Sequence, residues 1–202
     1  MTTTVASVPA FSFDREKHIY HLGNEVLPSV TEVLKDNGFI SESWFTEKGR
    51  SRGAAVHHAT YLFDQDKLIW DSLHKDLWGY IHSWYKIKVR LGIEVIEAEK
   101  SLYNGLYRYA GTLDRLVRIG RWEHVWDLKT MPPTGGAAPK WCRYQSAAYE
   151  GMLPPYGSRK RAAVELHADG SMATLKPHED LDDLQVFLCM LTTTRARREN
   201  GL

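Results

Sequence analysis

The chain has 202 residues, of which 43% are hydrophobic and 25% are charged, and its formal net charge is +1. This composition is that of an ordinary globular protein, long enough to bury a proper core in a single domain over residues 1–202. A nearly neutral chain gives weak support for a nucleic-acid partner, so any DNA-binding groove must come from local clusters of basic residues.

Several classes of protein are excluded by the sequence. No apolar run approaches the roughly 20 residues that span a bilayer, so no membrane partner is expected. Residues 1–10 lack both the basic and the apolar segment of a signal peptide. Cys142 and Cys189 are too few for a disulfide scaffold or a four-cysteine metal site. With a reducing compartment as the default, we expect a cytoplasmic protein.

The N-terminal half predicts a small hairpin followed by three helices. Ser29 precedes Glu32 by the spacing of a capping box and opens the first helix. In the third helix, apolar residues repeat at the helical period. The predicted elements are a hairpin in residues 11–28 and helices from Ser29 to Gly38, from Ser51 to Phe63 and from Asp71 to Leu91.

From Glu94 onward the apolar residues alternate, which indicates a three-stranded antiparallel meander. Asn104–Gly105 is a strong signal for a two-residue hairpin turn. Such a turn would pair Tyr103 with Leu106. The three predicted strands are Glu94–Tyr103, Leu106–Ile119 and Trp122–Thr130.

The second turn of this meander places two acidic residues opposite each other. Gly120–Arg121 has glycine at the first central position, as in a type II′ turn, and pairs Ile119 with Trp122. In that register Asp114 lies directly opposite Asp127. Like charges in these positions destabilise a sheet. A divalent cation bound between them would explain both carboxylates, because hard cations prefer carboxylate oxygen.

Three further charged residues, Glu97, Glu99 and Lys129, belong to the same predicted face of the sheet. The alternative is an ordinary polar face, with the acidic residues in solvent or paired with Arg118 or Lys129. The setting of Asp127 favours the metal site, because this residue lies in an apolar strand where a carboxylate without a partner is costly to bury.

The C-terminal third predicts a loop, a helix, a second hairpin and a closing helix. Gln145 and Tyr149 lie four residues apart in the first of these helices and therefore share one face. A helix that crosses back over the sheet would direct both towards the acidic residues; alternatively, they lie on the surface of an amphipathic helix. The elements are the loop Met131–Ala138, the helix Pro139–Met152, the strands Arg161–His167 and Met172–Leu175, and the helix Asp180–Arg198.

The order of these motifs resembles that of the PD-(D/E)XK nucleases, in particular the RecB-like branch found in phage exonucleases. The resemblance covers residues 28–198 and leaves residues 1–27 as an N-terminal hairpin extension. Leu113 stands where the superfamily has the proline that gives it its name. The four elements that carry the resemblance are Gly53-x-x-x-His57, Gly111-x-x-Asp114, Asp127-x-Lys129 and Gln145-x-x-x-Tyr149.

The resemblance implies an α/β (α+β) fold with a restriction-endonuclease-like core, in which a mixed central sheet is flanked by helices. It also implies hydrolysis of phosphodiester bonds with Mg²⁺ or Mn²⁺. Lys129 would position or deprotonate the attacking water or neutralise the transition state, and Gln145 and Tyr149 would orient Lys129, the water or the DNA backbone. No iron–sulfur cluster is expected, because the chain lacks the four cysteines of the relatives that carry one. The implied metal ligands are His57, Glu99, Asp114, Asp127 and the backbone carbonyl of Leu128.

Basic residues near these motifs are the candidates for DNA contacts. Basic side chains that meet phosphates supply affinity without specifying sequence, whereas a solvated surface is the alternative for each of them. Four aromatic residues are candidates for stacking on bases at a strand end, or else for the core: Trp44, Phe45, Trp141 and Tyr144. The basic candidates are Arg50, Arg52, Lys140, Arg143, Arg159 and Lys160.

The main hypothesis is a metal-dependent DNA exonuclease in recombination, repair or replication of a phage-type genome. A recombination or single-strand-binding protein is a further candidate partner, and the compartment is the host cytoplasm if the gene belongs to a phage. The second hypothesis is a structure- or site-specific endonuclease with the same fold, because one core serves both tasks. The third is a nucleic-acid-binding module with a decayed nuclease core.

Overall fold

The computed structural model describes residues 9–41, 43 and 46–201. Within these ranges the chain forms two β-sheets and five α-helices, with a 3₁₀ turn at Trp70–Ser72. The strands are β1 (Phe11–Asp14), β2 (Ile19–Leu22), β3 (Glu25–Leu27), β4 (Glu94–Asn104), β5 (Tyr109–Ile119), β6 (Trp122–Thr130), β7 (Lys160–Leu166) and β8 (Thr174–His178). The helices are α1 (Val30–Asp36), α2 (Glu47–Asp64), α3 (Lys75–Leu91), α4 (Cys142–Glu150) and α5 (Asp183–Glu199).

The larger sheet is mixed and contains β4 to β8 in sequence order. Strands β4, β5 and β6 form the predicted antiparallel meander, β7 lies parallel to β6, and β8 returns antiparallel to β7. A parallel pair requires a crossover connection, and α4 lies in the connection between β6 and β7. The predicted fold class, a mixed central sheet flanked by helices, is confirmed.

Helices cover this sheet on both sides, and each side has its own apolar core. On one side α1, α4 and α5 pack on β5 around Leu113, Leu116 and Phe187. On the other side α2 and α3 cover β6 and β7, where the indole rings of Trp84 and Trp126 meet edge to face with 6.1 Å between their centroids. Because the middle strands are enclosed, a charged side chain on them is buried unless it opens into a cleft.

The β5–β6 hairpin has the predicted register. Ile119 lies opposite Trp122, and Gly120 has the positive φ (+58°) that the first central position of a type II′ turn requires. The ladder ends with Arg115 opposite Trp126, one residue short of the predicted pair of acids. Beyond this point the backbone N–H and C=O groups of β5 and β6 that face each other no longer pair, so they can form hydrogen bonds with side chains.

The β4–β5 hairpin differs from the predicted one, and the prediction was wrong. Tyr103 pairs with Ala110 instead of Leu106, and residues 105–108 form a four-residue loop. Asn104 stabilises this longer loop. Its side-chain oxygen accepts the N–H three residues on at 2.8 Å, and its carbonyl accepts the N–H four residues on at 2.8 Å.

Caps determine where the first two helices begin. In α1, the Ser29 hydroxyl accepts the Glu32 N–H at 3.1 Å and the Glu32 carboxylate accepts the Ser29 N–H at 2.7 Å, so the predicted capping box is confirmed. Helix α2 begins at Glu47 rather than Ser51, because Thr46 caps it by accepting a backbone N–H of the first turn.

The other predicted elements are present, with bounds that differ by a few residues. Helices α3, α4 and α5 begin later than predicted, and β8 extends through Pro177 to His178. The 3₁₀ turn explains the late start of α3, since it occupies the residues just before the cap at His74. In the described ranges no helix combines the length and apolar character needed to cross a membrane.

The N-terminal hairpin is confirmed in β1 and β2, and β3 extends it into a small separate sheet. We call β1–β3 the N-terminal sheet. It packs on the start of β5, where the hydroxyls of Tyr20 and Thr112 lie 2.9 Å apart and the Pro28 carbonyl accepts the Ala110 N–H at 3.0 Å. Because β5 also carries Asp114, the N-terminal sheet is attached next to the predicted acidic site.

Candidate active site

His57 on α2, Glu99 on β4 and Asp114 on β5 form a group that can hold a metal ion. One potential ligand atom of each residue lies within 4.8 Å of the other two. The Nδ1 atom of His57 is 3.3 Å from the Glu99 carboxylate and 3.7 Å from the Asp114 carboxylate. Three elements that are remote in sequence therefore converge on one point, which we call the ligand group.

The backbone of Leu128 in β6 contacts two members of the ligand group. Its N–H donates to Oδ2 of Asp114 at 2.7 Å, and its carbonyl oxygen lies 3.1 Å from Nε2 of His57. The ladder between β5 and β6 has ended here, so side chains satisfy these backbone groups instead. The carbonyl predicted as a ligand thus lies at the edge of the group, against the imidazole.

Glu99 reaches the ligand group through an irregular backbone. Its φ is +49°, in the left-handed region, which costs a non-glycine residue about 1–3 kcal/mol and is typical of functional sites. Its carboxylate accepts a hydrogen bond from Nη1 of Arg115 at 3.0 Å. Glu97, predicted on the same face, is instead paired with Lys100 and is not a member of the group.

Asp127 is a fully buried carboxylate beside the ligand group. It is 0% exposed, and among the described residues neither of its oxygens has a hydrogen bond of normal geometry. The ammonium of Lys129 lies 2.7 Å from Oδ2 and supplies the compensating charge. Unsatisfied buried oxygens are costly, so this carboxylate favours a further positively charged partner.

The side chains present fit a divalent cation. The ligand group offers one imidazole and two carboxylates, and beside it lies the Asp127 carboxylate, which has Lys129 as its charged partner but no hydrogen bond of normal geometry in the described part of the chain. Carboxylate-rich sites suit hard cations such as Mg²⁺ and Mn²⁺, and a neutral histidine can complete them.

Helix α4 brings Gln145 and Tyr149 to Lys129. The Nζ atom of Lys129 donates to Oε1 of Gln145 at 3.1 Å, and Nε2 of Gln145 donates to the Tyr149 hydroxyl at 2.8 Å. Gly111 permits this approach, because a Cβ atom there would lie 2.9 Å from Cε1 of Tyr149. The structure therefore joins residues of three predicted motifs in one chain of contacts, while their catalytic roles stay predictions.

The charges of the ligand group are strongly coupled. Burial raises the pKa of Asp114 to about 7, although His57 acts in the opposite direction. Burial by itself would lower the pKa of His57, but Asp114 and Glu99 outweigh it and the pKa is about 9. A histidine must be neutral to bind a metal, so the imidazole has to lose a proton before it can serve as a ligand at neutral pH.

Lys129 is held as a cation. Burial works against its charge, but Asp127 and Asp114 more than offset this effect and raise the pKa of Lys129 above its ordinary value. The sequence left open whether this lysine acts as a base or as a positive charge. In the site without a metal ion this raised pKa keeps Lys129 as an ammonium, which can position water or neutralise negative charge.

A buried ion network behind the ligand group is a feature that the sequence interpretation missed. Arg115 is 0% exposed and donates to Glu99 and, at 2.8 Å, to Oδ2 of Asp64. Asp64 also accepts from Nε1 of Trp84 at 2.9 Å and from Nζ of Lys88 at 2.6 Å. One signal for this network was present, since an arginine in an otherwise apolar strand requires buried partners.

The ligand group opens into a cleft of about 580 Å³. Its lining includes Glu99 and Asp114 of strands β4 and β5, Gly53 and His57 of α2, and Tyr149 of α4. The N-terminal sheet also lines this cleft. Its volume is within the range of about 300–1,000 Å³ that is usual for ligand pockets.

Gly53 lines this cleft, and its replacement gives a testable prediction. A Cβ atom at this position would meet nothing within 4 Å. Gly53→Ala is therefore expected to stabilise the fold by about 0.5–1 kcal/mol in urea unfolding, because glycine is unfavourable inside a helix. Gly53→Leu should instead obstruct the cleft and weaken substrate binding by about tenfold. If the leucine variant cleaves DNA as fast as the alanine variant, substrate does not pass close to residue 53 in the cleft.

The six basic residues predicted to contact DNA lie outside the lining of the cleft. Two of them are already paired with carboxylates. Arg143 contacts Asp180 and Asp183, and Nε of Arg159 donates to Glu123 at 2.9 Å. A phosphate would have to compete with these carboxylates.

The remaining four basic residues have different surroundings. Arg50 and Lys140 are exposed, and the exposed Lys160 places its Nζ 5.6 Å from the ring centroid of Trp122. Arg52 is partly buried, and its Nε has no hydrogen-bond partner within the described ranges. Contacts of these residues with DNA stay predictions.

The four aromatic candidates for base stacking divide into two pairs. Trp44 and Phe45 lie outside the described residues. Trp141 and Tyr144 pack against the apolar core of α1, α4 and α5. Trp141 also lies beneath Nζ of Lys129, at 5.1 Å from the ring centroid, so it contributes to the surroundings of the site.

No protein-family model matches the sequence, and no curated protein is significantly similar to it. Among solved structures, the chain is similar to one described as the crystal structure of LHK-Exo in complex with dAMP. The similarity covers 87% of this chain and 93% of that chain, with 12% sequence identity and a TM-score of 0.37. Because both the identity and the TM-score are low, we draw no functional conclusion from this likeness.

Proposed function

We propose that the chain is a divalent-metal-dependent nuclease that hydrolyses phosphodiester bonds in DNA, with a PD-(D/E)XK core in residues 28–198. The observation that carries this proposal is the convergence of His57, Glu99 and Asp114 beside the buried Asp127 and its partner Lys129. We further propose an exonuclease of phage-type recombination, repair or replication, because the order of the four motifs is similar to that of such enzymes.

Mg²⁺ or Mn²⁺ is the proposed cofactor. His57, Glu99, Asp114 and Asp127 would hold it, with the carbonyl of Leu128 as a further ligand. When bound, a divalent cation lowers the pKa of a water molecule and stabilises charge on a phosphate. The chain's own part is to bring these ligands together, and the contacts of Leu128 with Asp114 and His57 serve that purpose.

Lys129 is proposed to act as an ammonium ion. Its Nζ is held by Asp127 at 2.7 Å and by Gln145 at 3.1 Å, which fixes its position before a substrate arrives. A preorganised positive charge stabilises the negative charge that develops on a phosphate in the transition state. Tyr149 contacts Gln145 rather than Lys129, so it is a positioning residue in this scheme.

The first test compares end-labelled linear DNA with closed circular DNA, each incubated with Mg²⁺, Mn²⁺ or EDTA. We expect loss of linear DNA with either cation and no loss with EDTA or with Asp127→Ala. The circle should stay intact, because an exonuclease needs an end. Glu97→Ala is the matched control, since this acid lies on β4 outside the ligand group and should leave cleavage unchanged.

Other outcomes would change the proposal in defined ways. Cutting of the circle would make the enzyme an endonuclease with the same chemistry. Robust cutting by Asp127→Ala would contradict the assigned site. If neither DNA is cut and calorimetry detects no binding of Mg²⁺ or Mn²⁺, the chain is a nucleic-acid-binding module with a decayed core.

Mn²⁺ is expected to stabilise the folded protein independently of any cleavage. A ligand at a hundredfold excess over its Kd adds about 2.7 kcal/mol to the free energy of unfolding. For a chain of this length, that corresponds to a rise in Tm of about 5–10 °C, which calorimetry in EDTA and in Mn²⁺ would measure. His57→Gln should lose most of this rise, whereas His58→Gln should keep it. Equal rises in both variants would exclude His57 as a ligand.

A further inference from the structure

The N-terminal sheet, which the four motifs leave outside the core, forms part of the wall of the cleft. Phe13, Arg15, His18 and Tyr20 line the cleft together with α2 and the acids of β4 and β5. A segment that only extended the fold would not need to border the ligand group. The chemistry of these four side chains indicates what this part of the cleft could bind.

This wall is attached to the strands that carry the acids. The hydroxyl of Tyr20 lies 2.9 Å from that of Thr112, two residues before Asp114 in β5. Phe11 stacks on Tyr103 of β4 with 4.8 Å between ring centroids. The side chains of the wall therefore have a defined position relative to the ligand group, as a substrate-binding surface requires.

Arg15 is the only arginine or lysine that lines the cleft in the described part of the chain. It is exposed, and it has no hydrogen-bond or ion-pair partner among the described residues. The adjacent Asp14 uses its carboxylate within the turn, where it accepts the N–H groups of Glu16 and Lys17, each at 3.1 Å. A guanidinium without a partner in such a cleft is suited to bind a phosphate with two parallel hydrogen bonds.

Aromatic rings from the same hairpin line the cleft together with Arg15. The rings of His18 and Phe13 meet edge to face at 5.2 Å, and Phe13 stacks on Tyr20 at 4.4 Å. Tyr20 is buried, whereas His18 is exposed and Phe13 is half-buried, so the two outer rings are accessible from the cleft. Stacking on such rings binds any base, since every base has a π-face.

The size of the cleft distinguishes a single strand from a duplex. A volume of about 580 Å³ is comparable with that of pockets for small molecules, about 300–1,000 Å³, and admits a nucleotide or two. A duplex occupies far more space, since it contains two strands and its major groove alone measures about 12 Å across. A cleft of this volume that is lined by Glu99 and Asp114 therefore favours a single strand.

We infer that the N-terminal sheet is a binding wall for single-stranded nucleic acid, with Arg15 on a backbone phosphate and a base stacked on Phe13 and His18. This inference rests on the proposed function, because it specifies the substrate class of the same cleft. A duplex must open at its end before the scissile phosphate reaches the ligand group.

The test measures binding of a fluorescent oligothymidine by anisotropy in EDTA over a range of salt concentrations. Arg15→Ala is expected to raise Kd about five- to tenfold and to lower the salt slope by about 0.7, the contribution of one phosphate contact on a single strand. His18→Asn removes the ring and tolerates the backbone φ of +54°. Lys17→Ala is the matched control, because it removes the same charge from the same turn at a position that does not line the cleft.

Cleavage assays supply the second readout. Arg15→Ala and His18→Asn should raise KM and leave kcat within about twofold, because they remove contacts that stabilise the bound substrate and the transition state equally. Equal Kd values for Arg15→Ala and Lys17→Ala, or tighter binding of a blunt duplex than of the single strand, would overturn the inference. The proposed function would still stand if the wild type cuts DNA.

The remaining outcomes separate the two proposals. Binding that depends on Arg15, in a protein that cuts no DNA, would support the wall and overturn the nuclease. A wild type that neither binds the oligonucleotide nor cuts DNA would overturn both.

Discussion

Asp114→Asn is expected to lower metal-dependent cleavage of linear DNA by about a thousandfold or more, which corresponds to ~4 kcal/mol of transition-state stabilisation. Asp114 supplies one of the two carboxylates in the ligand group with His57 and Glu99. Asparagine replaces this anionic ligand with a neutral one, so the cation is held less tightly and charge on the phosphate is less well neutralised. The measurement is kcat/KM on end-labelled linear DNA in Mn²⁺.

This variant should keep its fold. Asparagine has the shape of aspartate and retains an oxygen that can accept the Leu128 N–H, which Asp114 accepts at 2.7 Å. Burial raises the pKa of Asp114 to about 7, so this position is already close to favouring a neutral side chain. Circular dichroism and the Tm in EDTA should therefore resemble those of the wild type, and a loss of activity would report on the site.

Glu97→Gln is the matched control for this prediction. It removes one negative charge from β4 near the ligand group, but Glu97 is paired with Lys100 and does not belong to the group. We expect cleavage and the stabilisation by Mn²⁺ to be unchanged. Cleavage by Asp114→Asn within about tenfold of the wild type, with the full rise of Tm in Mn²⁺, would place the metal elsewhere.

The predictable part of the site came from short-range rules. Gly120 specifies the turn between β5 and β6, and the turn then specifies the register of both strands. From that register the proximity of Asp114 and Asp127 follows. The four-residue spacing of Gln145 and Tyr149 likewise predicts one helix face, which lies against Lys129 in the structure.

The parts that were not predictable depend on contacts between remote elements. The Asn104–Gly105 pair favours a short turn. In the structure Tyr109 instead enters the core, where its hydroxyl donates to the Ala148 carbonyl at 2.9 Å, and the loop before it is longer. The left-handed backbone of Glu99 and the pairing of Arg115 with Asp64 are of the same kind. Local patterns do not encode which distant element supplies the partner of a buried charge.

The N-terminal sheet illustrates a different limit of the sequence. Motif resemblance identifies residues that act on the chemistry, so a segment without motifs is interpreted as an extension. The structure places Arg15 and His18 of that segment in the lining of the cleft. Contacts between remote residues reveal this proximity, such as that of Tyr20 with Thr112 of β5, and neither of these two is a defining residue of a motif.

Arg115→Met is expected to lower the free energy of unfolding by about 3–5 kcal/mol, because it removes one partner of a buried ion network. The side chain of Asp64 is 2% exposed and would keep Lys88 as its charged partner. Asp64 is also the last residue of α2, where the helix dipole disfavours a negative charge. Urea unfolding in EDTA measures the effect.

Arg118→Met is the matched control on the same strand. Arg118 pairs with Glu94 at 3.0 Å, with the two side chains 37% and 63% exposed. Its second contact, to Glu123 at 3.8 Å, is long, and Arg159 remains as a closer partner of that carboxylate. Exposed pairs of this kind contribute about 0–1 kcal/mol, so the loss should be small. Equal losses of stability in Arg115→Met and Arg118→Met would show that burial of the Asp64 network has no special importance for folding.

A double variant separates two roles of Arg115, which neutralises Asp64 and also donates to Glu99 of the ligand group. Asp64→Asn added to Arg115→Met should recover part of the lost stability, because it removes a buried carboxylate that has only Lys88 left to compensate its charge. It should not restore the stabilisation by Mn²⁺, since Glu99 would still lack the donor that holds its carboxylate in place. Recovery of both properties would mean that Arg115 acts on the metal site only through the stability of the fold.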